Sequence, residues 1–232
     1  GISKLEVENS FINYFDKKTE IYKGMKLIDE KLGGTTPLEV ILKFSDTDID
    51  DGEEKDEFDD WEEEKEDEKK YWFTKDKVDK INSVHNYLDN LPAVGKVISF
   101  SSILEVAKSL NNNKELGTLE MGILYSKLPP NIKKQIVDPY ISIKNNEARI
   151  NLRIKDSLKD LRRNELINKI NYDLENELGL KREEFKLAGV LILFNNLLQS
   201  LFKSQILTLG LVMIGIFSMF IILFRNIKLS LI

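Results

Sequence analysis

Apolar and polar residues alternate through most of this chain with the periods of helices and strands that each bury one side. Residues 19–32 repeat an apolar position at intervals of four, three and four, which predicts an amphipathic helix ended by Gly33-Gly34. The apolar positions of that helix are Ile21, Met25, Ile28 and Leu32. Residues 37–44 then alternate and predict a strand, so helix, glycine stop and strand form a compact packing unit.

The same reasoning predicts further helices and strands. A helix over 74–91 has Thr74 as its N-cap and Pro92 beyond its end, and it presents one apolar face. A strand at 94–100 leads into a short helix at 102–110. The residues on the apolar face of the longer helix are Val78, Ile81, Val84 and Leu88.

The clearest hairpin pairs residues 140–144 with residues 148–154 through Asn145-Asn146. A helix over 158–178, ended by Gly179, and a strand over 185–191 follow. One side of the second hairpin strand carries Ile150, Leu152 and Ile154, and the other carries Arg149, Asn151 and Arg153. Strand, helix, strand, then hairpin, helix, strand predicts an α+β fold of two small split βαβ (ferredoxin-like) subdomains.

The pattern changes at the end of the chain, where residues 206–224 are nineteen consecutive uncharged residues. As a helix they would be about 28 Å long, close to the thickness of the hydrocarbon core of a bilayer. We therefore predict one transmembrane helix at 206–224, preceded by an amphipathic connecting helix at 193–205. Arg225 and Lys228 follow the span, so the positive-inside tendency places residues 225–232 at the start of the cytoplasmic side and the preceding domain outside the cell.

An acidic block interrupts the first part of the chain. Residues 46–68 contain sixteen acidic residues against Lys55 and Lys65, which predicts a solvated insertion. Its Asp46, Asp48, Asp50 and Glu57 have part of the spacing of a calcium loop, but the glycine comes one position late, so we favour a charged insertion without a metal site. The aromatic residues that lie in or beside it are predicted to pack rather than to bind a ligand, and they are Trp61, Tyr71, Trp72 and Phe73.

The amino-acid composition argues against several kinds of functional site. The chain has no cysteine, and its one histidine, His85, is expected to be solvated or partly packed. No nucleophile or phosphate-binding motif is present, so we predict no enzymatic activity, no catalytic residue and no cofactor. With a net charge of -5 and scattered basic residues, no nucleic-acid partner is expected.

A segment broken by Gly117, Gly122 and Pro129-Pro130 is the candidate wall of a substrate cleft, because breakers allow an apolar segment to move. An ordinary core helix is the alternative. The candidate substrate-binding residues are Met121, Ile123, Leu124, Tyr125 and Leu128.

Three segments carry a resemblance to a known family. They are Gly189-Val190-Leu191-Ile192-Leu193-Phe194 with the stretch from Leu197 to Leu209, Leu223-Phe224-Arg225-Asn226-Ile227-Lys228, and the opening Val7-Glu8-Asn9-Ser10-Phe11-Ile12-Asn13-Tyr14-Phe15. They resemble the first porter domain and second transmembrane helix of RND-superfamily exporters, and the MMPL-like branch is the nearest in character. The chain opens without methionine and stops inside another apolar stretch, so we expect it to be a piece of a longer protein.

The resemblance implies a fragment of a proton-driven exporter of hydrophobic or amphiphilic molecules, in a bacterial inner (cell) membrane and multi-pass at full length. Residues 1–192 would be the extracytoplasmic porter-like domain, and the expected partners are the bilayer, a small amphiphile, the rest of the transporter chain and further copies of it. Residues 206–224 hold no ionisable side chain, so this piece carries no proton relay. The alternatives are a membrane-tethered extracytoplasmic ligand-binding or sensor module, and a structural subunit that organises a partner complex.

Overall fold

The structure, a computed structural model, describes residues 11–45, 72–112, 114, 116–158 and 161–224. One compact unit spans Ser10–Ile192, and the chain from Leu193 onward belongs to a second unit. The described helices are α1 (Glu20–Lys31), α2 (Lys75–Asp89), α3 (Phe100–Leu110), α4 (Thr118–Lys127), α5 (Pro130–Ile136), α6 (Arg163–Asn176) and α7 (Val190–Phe224). The strands are β1 (Thr36–Lys43), β2 (Val94–Ile98), β3 (Ile141–Ser142), β4 (Glu147–Ile154) and β5 (Phe185–Ala188), and short 3₁₀ turns cover Phe11–Tyr14 and Ile143–Asn145.

All described strands belong to one sheet of order β2-β4-β1-β5, in which neighbours are antiparallel and β3 pairs with β4. The crossovers β1–α2–β2 and β4–α6–β5 are interleaved, because β4 lies between β1 and β2 while β1 lies between β4 and β5. The predicted α+β class is confirmed. The predicted division into two sheet-and-helix subdomains differs from this arrangement, since the strands of both predicted subdomains pair with one another.

The core lies on one face of this sheet. Alternate residues of β1 and β4 are buried there, and α2 and α6 cover them. The buried residues of β1 and β4 are Leu38, Val40, Leu42, Ala148, Ile150, Leu152 and Ile154. The Tyr87 hydroxyl of α2 donates to Asp173 of α6 at 2.5 Å, and Lys169 donates to the same carboxylate oxygen at 2.6 Å. Burial opposes ionisation of Asp173, but these hydrogen bonds hold its pKa below the ordinary value.

Local signals account for most element ends. The Thr74 hydroxyl accepts from the Lys77 N–H and caps α2, as predicted, and the predicted apolar face of that helix is buried. The predicted hairpin is present, with Asn146 in the left-handed conformation that a tight turn requires (φ 51°). Its first strand is shorter than predicted, because only Ile141–Ser142 pair with β4 and Ile143–Asn145 form a 3₁₀ turn. The last strand is shorter than predicted, because Gly189 at φ 107° ends it after Ala188.

The C-terminal helix α7 is a single element of 35 residues, where the pattern predicted a connecting helix and a separate span. It is long and apolar enough to cross a membrane, and its most apolar stretch is not buried against the protein.

Helix α1 is attached to the sheet by polar contacts instead of by its predicted apolar face. Its one buried residue is Asp29, whose carboxylate accepts from the Thr35 hydroxyl at 2.7 Å and from the N–H groups of Asp156 and Ser157 at 2.8 and 2.7 Å. The compact apolar packing predicted for residues 19–44 was therefore wrong for the helix, although Gly33-Gly34 does end it.

Burial by itself would raise the pKa of Asp29, but hydrogen bonds from Ser157, Thr35 and Asp156 outweigh it and lower the pKa below the ordinary value. A second buried carboxylate, Asp156, forms an ion pair with Arg163 at the start of α6 and accepts from the Ile12 N–H at 3.2 Å. We call Asp29, Thr35, Asp156, Ser157 and Arg163 the buried carboxylate cluster. It joins two stretches of the chain, 29–35 and 156–163, that lie more than a hundred residues apart at one end of the sheet.

Close backbone contact completes this end of the sheet. Gly33 has φ 85°, and a Cβ added to Gly95 at the start of β2 would lie 2.4 Å from the Gly33 carbonyl carbon and oxygen. Only glycine fits at Gly95, since the atoms that it meets are backbone atoms that cannot rotate away.

We expect Asp29→Asn to lower the free energy of unfolding by about 1–3 kcal/mol, because an amide nitrogen cannot accept from the N–H groups that face the carboxylate. Glu30→Gln, on the exposed side of α1 beside Lys26, is the matched control and should change stability little. Urea unfolding of the full chain in mild detergent, followed by tryptophan fluorescence, measures both. Equal stability of the two variants would contradict this role for Asp29.

The pH dependence of stability follows from the same group. The folded protein holds Asp29 at a lowered pKa, so below about pH 4 the unfolded chain binds the proton first and stability falls as pH falls. The contribution of Asp29 is complete above its unfolded pKa. Asp29→Asn should flatten this acid part of the stability curve, and an unchanged acid slope would count against it.

We expect Gly95→Ala to destabilise the protein by about 1–3 kcal/mol, because the new methyl group overlaps the Gly33 backbone. Gly24→Ala makes the same chemical change inside α1, where no atom lies within 4 Å of the new methyl group. It should stabilise the protein by about 0.5–1 kcal/mol through helix propensity. Thermal unfolding of the two variants measures the contrast, and a shift of the same sign in both would contradict it.

Candidate functional site

A cleft of about 440 Å³ lies beside β5, the strand at one edge of the sheet. It is formed by β5 with the end of β1, by α6, and by the loop between α6 and β5. Its lining residues are Lys43, Ile167, Asn171, Arg182, Glu183, Phe185, Lys186, Leu187 and Ile192. We call it the β5 cleft. Its volume lies within the usual range of sites for small molecules.

The register of β1 and β5 brings the charged groups of this cleft together. Lys186 pairs with Ile41, and the Lys43 N–H donates to the Glu184 carbonyl at 2.7 Å. Since the side chains of a strand alternate between faces, Lys43 and Lys186 are exposed while Phe185 between them is buried. One edge of the cleft is therefore cationic and its base is apolar.

Two of the three cations of the cleft already have partners. Lys43 lies 3.6 Å from Glu147, and Arg182 lies 3.5 Å from Glu175 and over the Phe185 ring at 5.0 Å from its centroid. No ion pair of Lys186 is found in the described parts of the chain. Lys186 is thus the cation best placed to meet an added anion, whereas Glu183 in the same lining is the group that would oppose one.

The combination of a cationic edge and an apolar base suits an amphiphile with an anionic head group. The partly exposed Leu187 and Ile192 supply the accessible apolar surface above the buried Ile167 and Phe185, and the side chain of Asn171 supplies a polar group beside Arg182. Apolar surface gives most of the binding energy in such sites, and a few polar groups fix the orientation of the ligand.

The residues that the sequence indicated for substrate binding lie elsewhere, on and just after α4. Met121 is buried, and Tyr125 and Leu128 pack against the core, whereas Ile123 and Leu124 are exposed. The five residues therefore lie on different faces and do not form one surface. None of them lines the β5 cleft.

The Tyr125 side chain packs α4 against its neighbours. Its ring lies 5.2 Å from the Phe73 ring, and the Lys133 ammonium of α5 lies 4.1 Å from its centroid. Burial, together with the charge of Asp138, raises the pKa of the Tyr125 hydroxyl. These contacts favour a packing role for the inner side of α4.

Described residues on either side of the acidic insertion contact one another. The Phe44 and Trp72 rings meet edge to face at 5.7 Å, and Asn146 accepts from the Trp72 indole at 2.8 Å while donating to the Phe44 carbonyl at 2.9 Å. Lys77 is buried there and donates to the same Asn146 oxygen at 3.0 Å. Trp72 and Phe73 pack, as predicted. These contacts hold Phe44 and Trp72, the residues on either side of the insertion, close to Asn146.

The candidate calcium-loop residues Asp46, Asp48, Asp50 and Glu57 lie outside the described residues, as do Trp61 and Tyr71. Within the described ranges, no group of three or more histidine, aspartate or glutamate side chains is arranged to hold a metal ion.

His85 is buried, not solvated, and its Nδ1 lies 2.8 Å from the Ser99 hydroxyl. A histidine beside a serine is also the arrangement of nucleophilic catalysis. Here the serine oxygen accepts from the Ser101 N–H at 3.1 Å and caps α3, and Ser99 is 0% exposed. The pair therefore holds α2 and α3 together, and a substrate has no access to the serine in this conformation.

Sequence reasoning missed the cationic residues of the β5 cleft. Lys43 ends an alternating apolar run and Lys186 lies inside a short one, which is a weak signal, and Arg182 lies in a loop. Only the pairing of β1 with β5 brings residues about 140 positions apart onto one edge.

Comparison of the chain with protein-family models, with curated proteins and with solved structures finds no match.

Proposed function

We propose that this chain is a membrane-anchored part of a transporter of the RND/MMPL type, whose folded domain handles an amphiphilic molecule. The observation that carries the proposal is α7, a helix of 35 residues whose last nineteen are uncharged. As a helix, those nineteen residues match the hydrocarbon thickness of a bilayer at about 28 Å. A water-soluble α+β domain in front of such a helix would be held at the membrane surface.

The topology of the domain supports a porter subdomain. Counting the four long strands in chain order, the sheet has the order second, third, first, fourth, and each crossover is a split βαβ unit. This order supports a ferredoxin-like arrangement, which the resemblance of both chain ends to RND exporters also implies. We infer one such subdomain in residues 36–188, in place of the two that the element order predicted.

The direction of insertion follows from the flanking charges. Arg225 and Lys228 directly follow the apolar stretch, so the end of α7 would face the cytoplasm and the folded domain the opposite side of the membrane. The acidic insertion lies in the domain that is translocated under this proposal.

The β5 cleft is the site that best fits the proposed substrate, because its base is apolar and its edge is cationic. The second candidate function is a membrane-tethered ligand-binding or sensor module. It is supported by the same cleft, which would bind its ligand, and by the same anchor. The full-length reading frame distinguishes the two: further spans with a buried carboxylate would indicate a transporter, and a cytoplasmic signalling domain would indicate a sensor.

The anchor is tested with single cysteines, because the chain has none of its own. Met213→Cys lies within the apolar stretch, and Lys96→Cys lies on the exposed edge of β2. In intact cells we expect a membrane-impermeant maleimide to label the Lys96 variant and to label the Met213 variant only after detergent and denaturant are added. Equal labelling of the two in intact cells, or release of the chain by alkaline carbonate, would overturn the anchor.

The cleft is tested with a photoreactive fatty acid and with its alcohol of equal chain length, added to membranes that contain the full chain. Lys186→Ala should weaken capture of the acid about 3- to 5-fold, the effect of about 0.7–1 kcal/mol for a solvent-exposed charge pair. It should leave capture of the alcohol unchanged. Lys96→Ala, at the opposite sheet edge, is the matched control and should alter neither, and a uniform loss with both probes would exclude a head-group contact at Lys186.

A further inference from the structure

The apolar face of α1 is open to solvent, although its spacing is that of a face that packs against something. Ile21 is 57% exposed, Ile28 is 39% exposed, and Leu32 at the end of the helix is 62% exposed. Met25 completes the row and is half-buried. We call these four residues the α1 stripe. Isolated exposed apolar residues are ordinary, but a row at helical spacing marks a surface that contacts another apolar phase.

The stripe does not serve to attach α1 to the protein. That attachment comes from Asp29, which is buried and hydrogen-bonded to the segments after β4 and before β1. The Thr19 hydroxyl caps the other end of the helix by accepting from the Tyr22 N–H. The helix is therefore formed and oriented before anything covers the stripe.

The charges around the stripe indicate what covers it. Residues 16–32 contain five lysines, Lys17, Lys18, Lys23, Lys26 and Lys31, and four acidic residues. One acid, Asp29, faces into the protein, so the exposed part has a surplus of two positive charges in a chain whose net charge is -5. One charge of this surplus belongs to the exposed part of α1, which has three lysines and three acids including Asp29, and the other belongs to residues 16–19 directly before the helix. A lysine-rich segment whose helix has an aliphatic face is typical of segments that lie in the interface of an anionic bilayer.

We propose that α1 lies on the surface of an anionic bilayer, with the α1 stripe in the boundary between head groups and acyl chains and with Lys17, Lys18 and Lys31 toward lipid phosphates. Lys23 and Lys26 do not take part in this contact, since they pair with Glu20 and Glu30 on the far side of the helix. This inference rests on the proposed function, since membrane anchoring through α7 keeps the domain close to lipid. A helix of 12 residues with one apolar row binds a bilayer weakly by itself. Tethering makes the contact intramolecular, so weak affinity is sufficient.

Spin labels on single cysteines test the proposal in the full chain, reconstituted in phosphatidylcholine vesicles with or without phosphatidylglycerol. Ile28→Cys places the label on the stripe, and Glu30→Cys places it two residues away, about 200° around the helix. The measurement is relaxation of each label by oxygen, which concentrates in lipid, and by a water-soluble nickel chelate. We expect the oxygen-to-nickel ratio at residue 28 to exceed that at residue 30 several-fold, and to rise further when phosphatidylglycerol is present.

A ratio at residue 28 equal to that at residue 30 would overturn the proposal. A label at residue 28 that is shielded from both reagents, increasingly so at high protein-to-lipid ratio, would show that a second copy of the chain covers the stripe and would also overturn it. A Met213→Cys label separates these failures from failure of the anchor. A high oxygen-to-nickel ratio at residue 213 with a low one at residue 28 refutes the interfacial role alone, whereas low ratios at both refute the anchor as well.

Discussion

The hydrogen bonds to Asp29 are the constraint on which the arrangement of this domain depends. A carboxylate that is buried must be matched by donors, and here the donors come from the segment before β1 and from the segment after β4. The neighbouring pair of Asp156 and Arg163 extends the same cluster to the start of α6. Segments that lie more than a hundred residues apart are thereby held at one end of the sheet, where Gly33 and Gly95 allow the backbones to touch.

This polar attachment explains why the domain buries so little of α1. An apolar helix face is normally what fixes a helix to a sheet, and α2 and α6 do follow that rule. Because the hydrogen bonds of Asp29 attach α1 to the sheet, the apolar residues of that helix remain exposed and can make another contact. At the β5 edge of the sheet, the β5 cleft combines exposed cations with partly exposed apolar residues. The domain therefore has two amphipathic surfaces, the α1 stripe and the β5 cleft.

Much of the secondary structure was predictable because the signals are local. The Thr74 cap, the alternation in β1 and β4 and the turn at Asn145-Asn146 each depend on neighbours in the chain, and the structure agrees with them. The end of β5 was misjudged because the apolar run 189–194 fits a strand and a helix equally well. Gly189, with its positive φ, separates the two. The candidate substrate residues on α4 share a sequence segment but not a surface, since a helix turns by about 100° at each residue.

The sequence by itself determined the α+β class, the apolar stretch at 206–224 and the concentration of negative charge at 46–68, since each is a property of composition or period. Only the tertiary structure decided that the strands form one interleaved sheet, that Asp29 is buried while the α1 stripe is exposed, and that Lys43 and Lys186 share a cleft. The physical reason is that strand pairing and burial depend on contacts between residues far apart in the chain. A period of two or of 3.6 states which residues share a face, but not what that face meets.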